Sequence, residues 1–297
     1  MLDLEHQLAQ RHPRWFKGPH ARIVKPLLGR VQKATRLGEA RDFLETHGHL
    51  RGLAFVEAAL CYLDVRYTLD QVERERIPET GRLLVVANHP SGALDALALL
   101  HLVGSVRRDV RVVANDLLGA VSPLRDLLLP VRIVGGRPTA ESLRAVEAAL
   151  EQEQCVIVFP AGEVSRLGWR GVRDGRWRRG FLRFARGTST PVLPVQVQAR
   201  NSALFYGVSA LYRPAGMLLL AREVFARRGS RIGLRIGHAR RVAADEPDRR
   251  LHVLRHHARA LRAVGRELHA HQVFLLHAAA LADQRARHAA VLREHEQ

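Results

Sequence analysis

The sequence of 297 residues is short of acids, of lysine, of cysteine and of long apolar runs. Asp and Glu number 29 against 47 for Lys and Arg, a formal charge of +18, so a basic partner is excluded. Nucleic acid, phospholipid headgroups or an acidic carrier remain. Lysine occurs only at Lys17, Lys25 and Lys33, so arginine carries nearly all the positive charge. Ala, Leu, Arg and Val crowd the whole chain as GC-rich codons would make them, so arginine counts alone say little. Cys61 and Cys155 both lie inside apolar segments, A-A-L-C-Y-L and Q-C-V-I-V-F, where a free thiol acts as a small core hydrophobe. A reducing cytoplasm is expected. No stretch approaches the roughly eighteen uncharged apolar residues of a membrane span, and M-L-D-L-E-H-Q lacks the core of a secretory signal. A membrane would be met from its surface. No phosphate-binding P-loop and no G-x-S-x-G nucleophile elbow is present, and no cofactor is expected.

What is present is 47% hydrophobic, enough for one large α/β domain with an appendage. Residues 1 to about 75 read as helical by apolar periodicity. From 82 the texture changes to short β-branched runs at 82–87, 110–114, 130–134, 154–159, 191–197 and 231–236, separated by helical patterns at 92–104, 116–128, 139–152 and 178–187. Residues 248–297 return to helix. The expected organisation is a helical N-terminal region (1–75), an α/β domain (76–245) and a C-terminal helical region packed on it (246–297). Its sheet should be mixed, mostly parallel and flanked by helices.

Two stretches directly follow strand patterns. A-N-H-P-S-G-A-L-D (87–95) places His89 before a proline, which biases it toward extended backbone at the strand end. Ser91 is the predicted N-cap and Asp95 sits in the first helical turn. Positions six apart diverge on a continuous helix, yet meet in a strand–loop–helix elbow. A carboxylate holding one imidazole nitrogen leaves the other free to take a proton, as a general base requires; alternatively, Asp95 is a helix-dipole partner. F-P-A-G-E-V-S-R (159–166) makes a tight turn and displays Glu163, Ser165 and Arg166 in the crevice where open α/β sheets bind ligands. Between them V-G-G-R (134–137) offers Arg137.

These blocks resemble the glycerolipid (lysophospholipid) acyltransferases over about residues 80–240. The family's N-H-x4-D is matched by Asn88, His89 and Asp95, its strand-end arginine by Arg137, its F-P-E-G-T-R-S by Phe159, Pro160, Gly162 and Ser165, and its V-P-V strand by L-P-V at 193–195. Five residues rather than four separate His89 from Asp95, and Glu163 follows the glycine instead of preceding it. These departures are similar to the haemolysin-like and ornithine- or glycine-lipid branch. The resemblance implies acyl transfer from an acyl-ACP or acyl-CoA thioester to a lyso-lipid hydroxyl, with His89 and Asp95 catalytic and no acyl-enzyme. Asn88, Arg137, Glu163, Ser165 and Arg166 would bind substrate. It also implies a peripheral enzyme on the cytoplasmic face of the inner membrane, bound to anionic lipids.

Two basic stretches bear on attachment. Residues 11–36 carry Arg14, Lys17 and six other cations beside Trp15 and Phe16, and read either as a membrane-surface segment or as a cap with a solvated basic face. Residues 166–186 mix arginines with Trp169, Trp177, Phe181 and Phe184; they suit a membrane interface, an acidic carrier, single-stranded nucleic acid, or a helix whose aromatics enter the core. The C-terminal histidines, including His252 and His256, lack the carboxylates or cysteines that would complete a metal site, so no metal is expected. A non-catalytic binder of anionic lipid or nucleic acid is the alternative function. It would have no use for a base tucked behind Pro90, and nucleic-acid binding is not expected.

Overall fold

The computed structural model describes Gly29 and residues 35–131, 138–169 and 171–243. The 11–36 stretch, apart from Gly29, Thr35 and Arg36, lies outside these residues, as do Arg137 and the C-terminal histidines. Two helices open the described chain, α1 (Leu37–His47) and α2 (Gly52–Tyr62). Helical periodicity carries the sequence reading on to about residue 75, but Arg66–Thr68 form a short strand, β1, before the one-turn helix α3 (Gln71–Arg74). Three residues, of which only Tyr67 and Thr68 are aromatic or β-branched, are too few to alter a helical window.

A single seven-stranded sheet contains β1, β2 (Leu83–Ala87), β3 (Val110–Asn115), β4 (Leu128–Val131), β5 (Cys155–Val158), β8 (Val192–Gln198) and β9 (Arg231–Ile236). Its order is β1-β9-β8-β2-β5-β3-β4. Every pair is parallel except β8 with β9, so the mixed, mostly parallel α/β sheet is as expected. β2 is buried at every position, and this explains its unbroken apolar run: a central parallel strand is covered on both faces. Its side chains divide by the two-residue period. Leu83, Val85 and Ala87 join the core beneath α2 and α4 (Ala93–Gly104), whereas Leu84 and Val86 face Val146 and Leu150 of α5 (Ala140–Glu151) and Phe181 and Phe184 of α6 (Gly180–Gly187). β2 lies between β8 and β5, so three consecutive strands in space deliver their C-terminal ends to one edge.

Four differences from the sequence reading have local causes. The helix expected over 116–128 is two 3₁₀ turns, Asp116–Ala120 and Ser122–Leu127, the second opening with Pro123 at a first-turn position. The strand expected at 130–134 begins two residues earlier, at Leu128. The arginine-rich stretch begins with an antiparallel hairpin, β6 (Arg166–Gly168) and β7 (Gly171–Arg173). Two helices, α7 (Ala203–Leu211) and α8 (Arg213–Ala226), have no counterpart in the reading. A-L-F-Y-G-V-S-A-L has no charged residue, so α7 carries no polar stripe to betray a helical period.

One buried charge fixes the edge opposite the strand ends. Arg107 donates to both carboxylate oxygens of Asp109 at 2.7 Å and to the carbonyls of Pro78 and Glu153 at 3.2 and 3.0 Å. The hydrogen bond from Arg107 holds the Asp109 carboxyl below the usual carboxylate range, against the opposing effect of its partial burial. A carboxyl so lowered stabilises the fold above its unfolded pKa of about 4, and that contribution is lost as pH falls through the folded value. The Asp109 side chain is 39% exposed, so the effect is on the order of 1 kcal/mol. Asp109→Asn should therefore lower stability by about that much at neutral pH, and urea unfolding at successive pH values should show the difference closing on acidification.

Candidate active site

His89 follows β2 at the centre of the C-terminal sheet edge. Asp95 stands at the third residue of α4, fully buried, and its Oδ2 is 3.2 Å from His89 Nδ1, whose side chain is 18% exposed. The two are within charge-pair distance, but the ring nitrogen is not aimed closely enough for a hydrogen bond. Such bonds often tighten only with substrate in place. Nε2, on the other edge of the ring, has no hydrogen-bond partner among the described residues. The ring stacks on Phe159 at 4.0 Å between centroids and 28° between planes, so the phenylalanine of the second block fixes the plane of the histidine of the first.

The expected N-cap needs correction. Gly92, not Ser91, is the capping residue, with φ of 81°, in the left-handed region that favours glycine. A Cβ there would lie 3.2 Å from Val164 Cγ1. The backbone N–H groups of Ser91 and Gly92 both donate to Asp95 Oδ2, at 2.7 and 3.0 Å, and the Ser91 hydroxyl donates to Oδ1. Asp95 is thus a helix-terminus acid that also stands within charge-pair distance of His89.

The loop is held from three further sides. Ser165 N–H donates to the His89 carbonyl at 2.8 Å, and His89 N–H donates to Asp174 Oδ1 at 3.3 Å. Asn201 Nδ2 donates to the Pro90 carbonyl at 3.3 Å. Asp174 also accepts from the Ser165 hydroxyl and, at 2.9 Å, from the indole N–H of Trp177. Neither Asp174 nor Asn201 was singled out from sequence. Asp174 had a signal, as the lone acid between Arg166 and Arg186; Asn201 had none.

The residues assigned to substrate binding separate into three groups. Asn88 clamps the β8 backbone, donating to the Val197 carbonyl at 2.8 Å and accepting from its N–H at 2.7 Å; its amide extends the sheet by one residue. Ser165 is buried and bonded to Asp174. In both, the polar side-chain atoms hold a neighbouring segment of the protein in place. Glu163 and Arg166 line an open cleft of about 400 Å³ together with Trp169, Arg173, Asp174 and Arg213. Glu163 accepts from Arg166 Nε at 3.0 Å and from Arg213 Nη2 at 2.9 Å, and Arg166 Nη1 is buried without a hydrogen-bond partner among the described residues. Arg137 lies outside the described residues. Trp177, for which both a membrane interface and the core were open, is turned inward, its ring edge-on to Phe181. Among the described residues no cluster of His, Cys, Asp and Glu suits a metal ion.

Comparison with known proteins agrees with the blocks. An acyltransferase family model matches residues 26–260. A lyso-glycine lipid O-acyltransferase of Phocaeicola vulgatus is 31% identical over 80% of this chain and 85% of its own length. One from Bacteroides thetaiotaomicron is 28% identical over 77% of this chain and 84% of its own. The crystal structure of the 1-acyl-sn-glycerophosphate acyltransferase from Thermotoga maritima superposes with a TM-score of 0.47 at 19% identity, covering 82% of this chain and 98% of that one, too distant a likeness to argue from. The elbow that folds His89 toward Asp95 therefore stands in a chain that belongs to the acyltransferase family.

Proposed function

We propose that this enzyme, an O-acyltransferase acting on lysolipids, uses His89 as general base to transfer an acyl chain from an acyl-ACP or acyl-CoA thioester to the hydroxyl of a lyso-lipid. The observation that carries the reading is the ring itself: Nδ1 stands 3.2 Å from a buried carboxylate, while Nε2 has no hydrogen-bond partner among the described residues. With Nδ1 protonated toward Asp95, Nε2 accepts the acceptor's hydroxyl proton as that oxygen attacks the thioester carbon. Asp95 stabilises the imidazolium that forms. The tetrahedral intermediate collapses with cleavage of the C–S bond, and Nε2 returns the proton to the departing sulfur. An ester and a free thiol result. No protein nucleophile is needed, because the hydroxyl of Ser91 is already bonded to Asp95.

A lyso-lipid with a compact anionic headgroup suits the cleft. Arg166 has a buried Nη1 to offer beside it, and a bidentate guanidinium grips carboxylate and phosphate alike. The names of the two relatives favour a glycine-lipid acceptor. Arg137 is proposed as a further headgroup contact. No described helix is long and apolar enough to cross a membrane, and peripheral attachment to anionic lipid at the cytoplasmic face of the inner membrane is part of the same proposal.

His89→Ala should lower kcat/KM roughly a hundred- to ten-thousand-fold while leaving the urea midpoint nearly unchanged, since the ring contributes one stacking contact. Full activity in that variant would sink the mechanism. Asp95→Asn should cost both: about 1–3 kcal/mol of stability, because the N–H groups of Ser91 and Gly92 lose a charged acceptor, and most of the rate.

Arg166→Ala should raise the KM for the lyso-lipid about tenfold and leave that for the thioester unchanged. Steady-state kinetics with each substrate varied in turn decides it, and equal effects on both would remove Arg166 from the headgroup site.

A further inference from the structure

Among the described residues eight large hydrophobic side chains are exposed, and six of them sit together on the β6–β7 hairpin and the α7–α8 corner: Leu167, Trp169, Leu204, Leu211, Tyr212 and Met217. These elements are joined. α7 packs on β6, and Arg213 at the start of α8 bonds Glu163. Trp169, in the turn of the hairpin, is 106% exposed and Leu211, at the end of α7, is 90% exposed. Leu204 and Leu211 are seven residues apart and share the outer face of α7 with Gly207, while Phe205 and Tyr206 are buried. Six exposed apolar side chains on one corner form a surface with a purpose, because single ones are normally scattered.

We infer that the hairpin turn and the α7–α8 corner form a lip that inserts into the headgroup layer of an anionic membrane and brings the acceptor to the cleft. The inference rests on the lysolipid reading above. Charge supports this occupant: Arg173, Arg176 and Arg213 are exposed around the patch, and the acids there are already engaged, Glu163 by Arg166 and Arg213, Asp174 by Ser165 and Trp177. An apolar centre with a cationic rim matches the depth profile of a bilayer surface, where an indole sits at headgroup level and each nearby cation adds about 1 kcal/mol. Continuity supports it as well. Leu167 and Trp169 belong to the patch and also line the cleft that contains Arg166 and Asp174, and Asp174 is bonded to the backbone of His89. The patch therefore opens directly onto the charged cleft that the lyso-lipid headgroup is proposed to enter. An acidic carrier protein would use the arginines but leave Leu204, Leu211 and Trp169 idle.

The test uses the full chain with Trp15→Phe, mixed with vesicles of phosphatidylcholine containing phosphatidylglycerol, with and without brominated acyl chains. Trp177 is turned inward, so Trp169 is the reporter. Its fluorescence should be quenched by the brominated lipid, and Trp169→Phe in the same background should abolish the quenching. Leu204→Ser combined with Leu211→Ser should lower the vesicle partition coefficient about tenfold and leave turnover of a short, water-soluble acceptor unchanged. Vesicle binding without quenching, and without loss in the double variant, overturns the lip while turnover of the soluble acceptor leaves the catalytic reading intact. Self-association that disappears in the double variant, with no quenching by lipid, also overturns it, since the face then belongs to a second copy.

Discussion

The Asp95 carboxylate is the constraint around which the site is built. A fully buried carboxylate is tolerated only where donors and positive charge meet it, and here the donors come from the chain immediately before it. The N–H groups of Ser91 and Gly92, the Ser91 hydroxyl and the positive end of α4 all converge on its two oxygens. To supply them the chain must leave β2, turn within the Pro90–Gly92 segment and enter the helix, and that path leaves His89 no place except over the acid. The histidine is positioned as a by-product of satisfying the aspartate. Pro90 helps by keeping His89 out of helical backbone.

The same economy ties the first block to the second. Phe159 lies at the end of β5, adjacent to β2 in the sheet, so its ring meets the imidazole simply because neighbouring parallel strands end side by side. Gly162, with φ of 67°, closes the turn in which its N–H bonds the Phe159 carbonyl at 3.0 Å. The chain then returns past His89, and Ser165 reaches the His89 carbonyl. Two stretches seventy residues apart in sequence thus form one rigid unit, whose outer wall is the cleft.

How much of this could be read from the sequence depended on whether the signal was local. The central strands were legible because burial on both faces forces an unbroken β-branched run, and the elbow because proline, glycine and a first-turn acid act within a few residues of one another. α7 and β1 were not, one because it is apolar all round, the other because it is three residues long. The partners that Asn88 and Ser165 find were hidden for a different reason. A polar residue beside a candidate catalytic histidine reads as a ligand contact, whereas the open β8 backbone next to Asn88 and the carboxylate of Asp174 are nearby only in the folded chain. For Trp177 the inward alternative holds: its indole N–H has a partner three residues away, so the arginine-rich stretch is a seam with Asp174 and Trp177 facing in and Arg173, Arg176, Arg178 and Arg179 exposed, not one uniform surface.

The extra residue between His89 and Asp95 can now be given a physical account. A longer loop before a helix must either bulge outward or absorb its additional length in backbone that most residues avoid, and Gly92 does the latter with its left-handed φ. The space beside it is taken by Val164 from the second block and Leu220 from α8, so a side chain at 92 would push on both. The added residue therefore leaves the approach of Nδ1 to the carboxylate intact while making the elbow dependent on the packing of α8. Because α8 also carries Arg213 to the cleft, the packing of the His89 elbow and the shape of the cleft depend on the same helix.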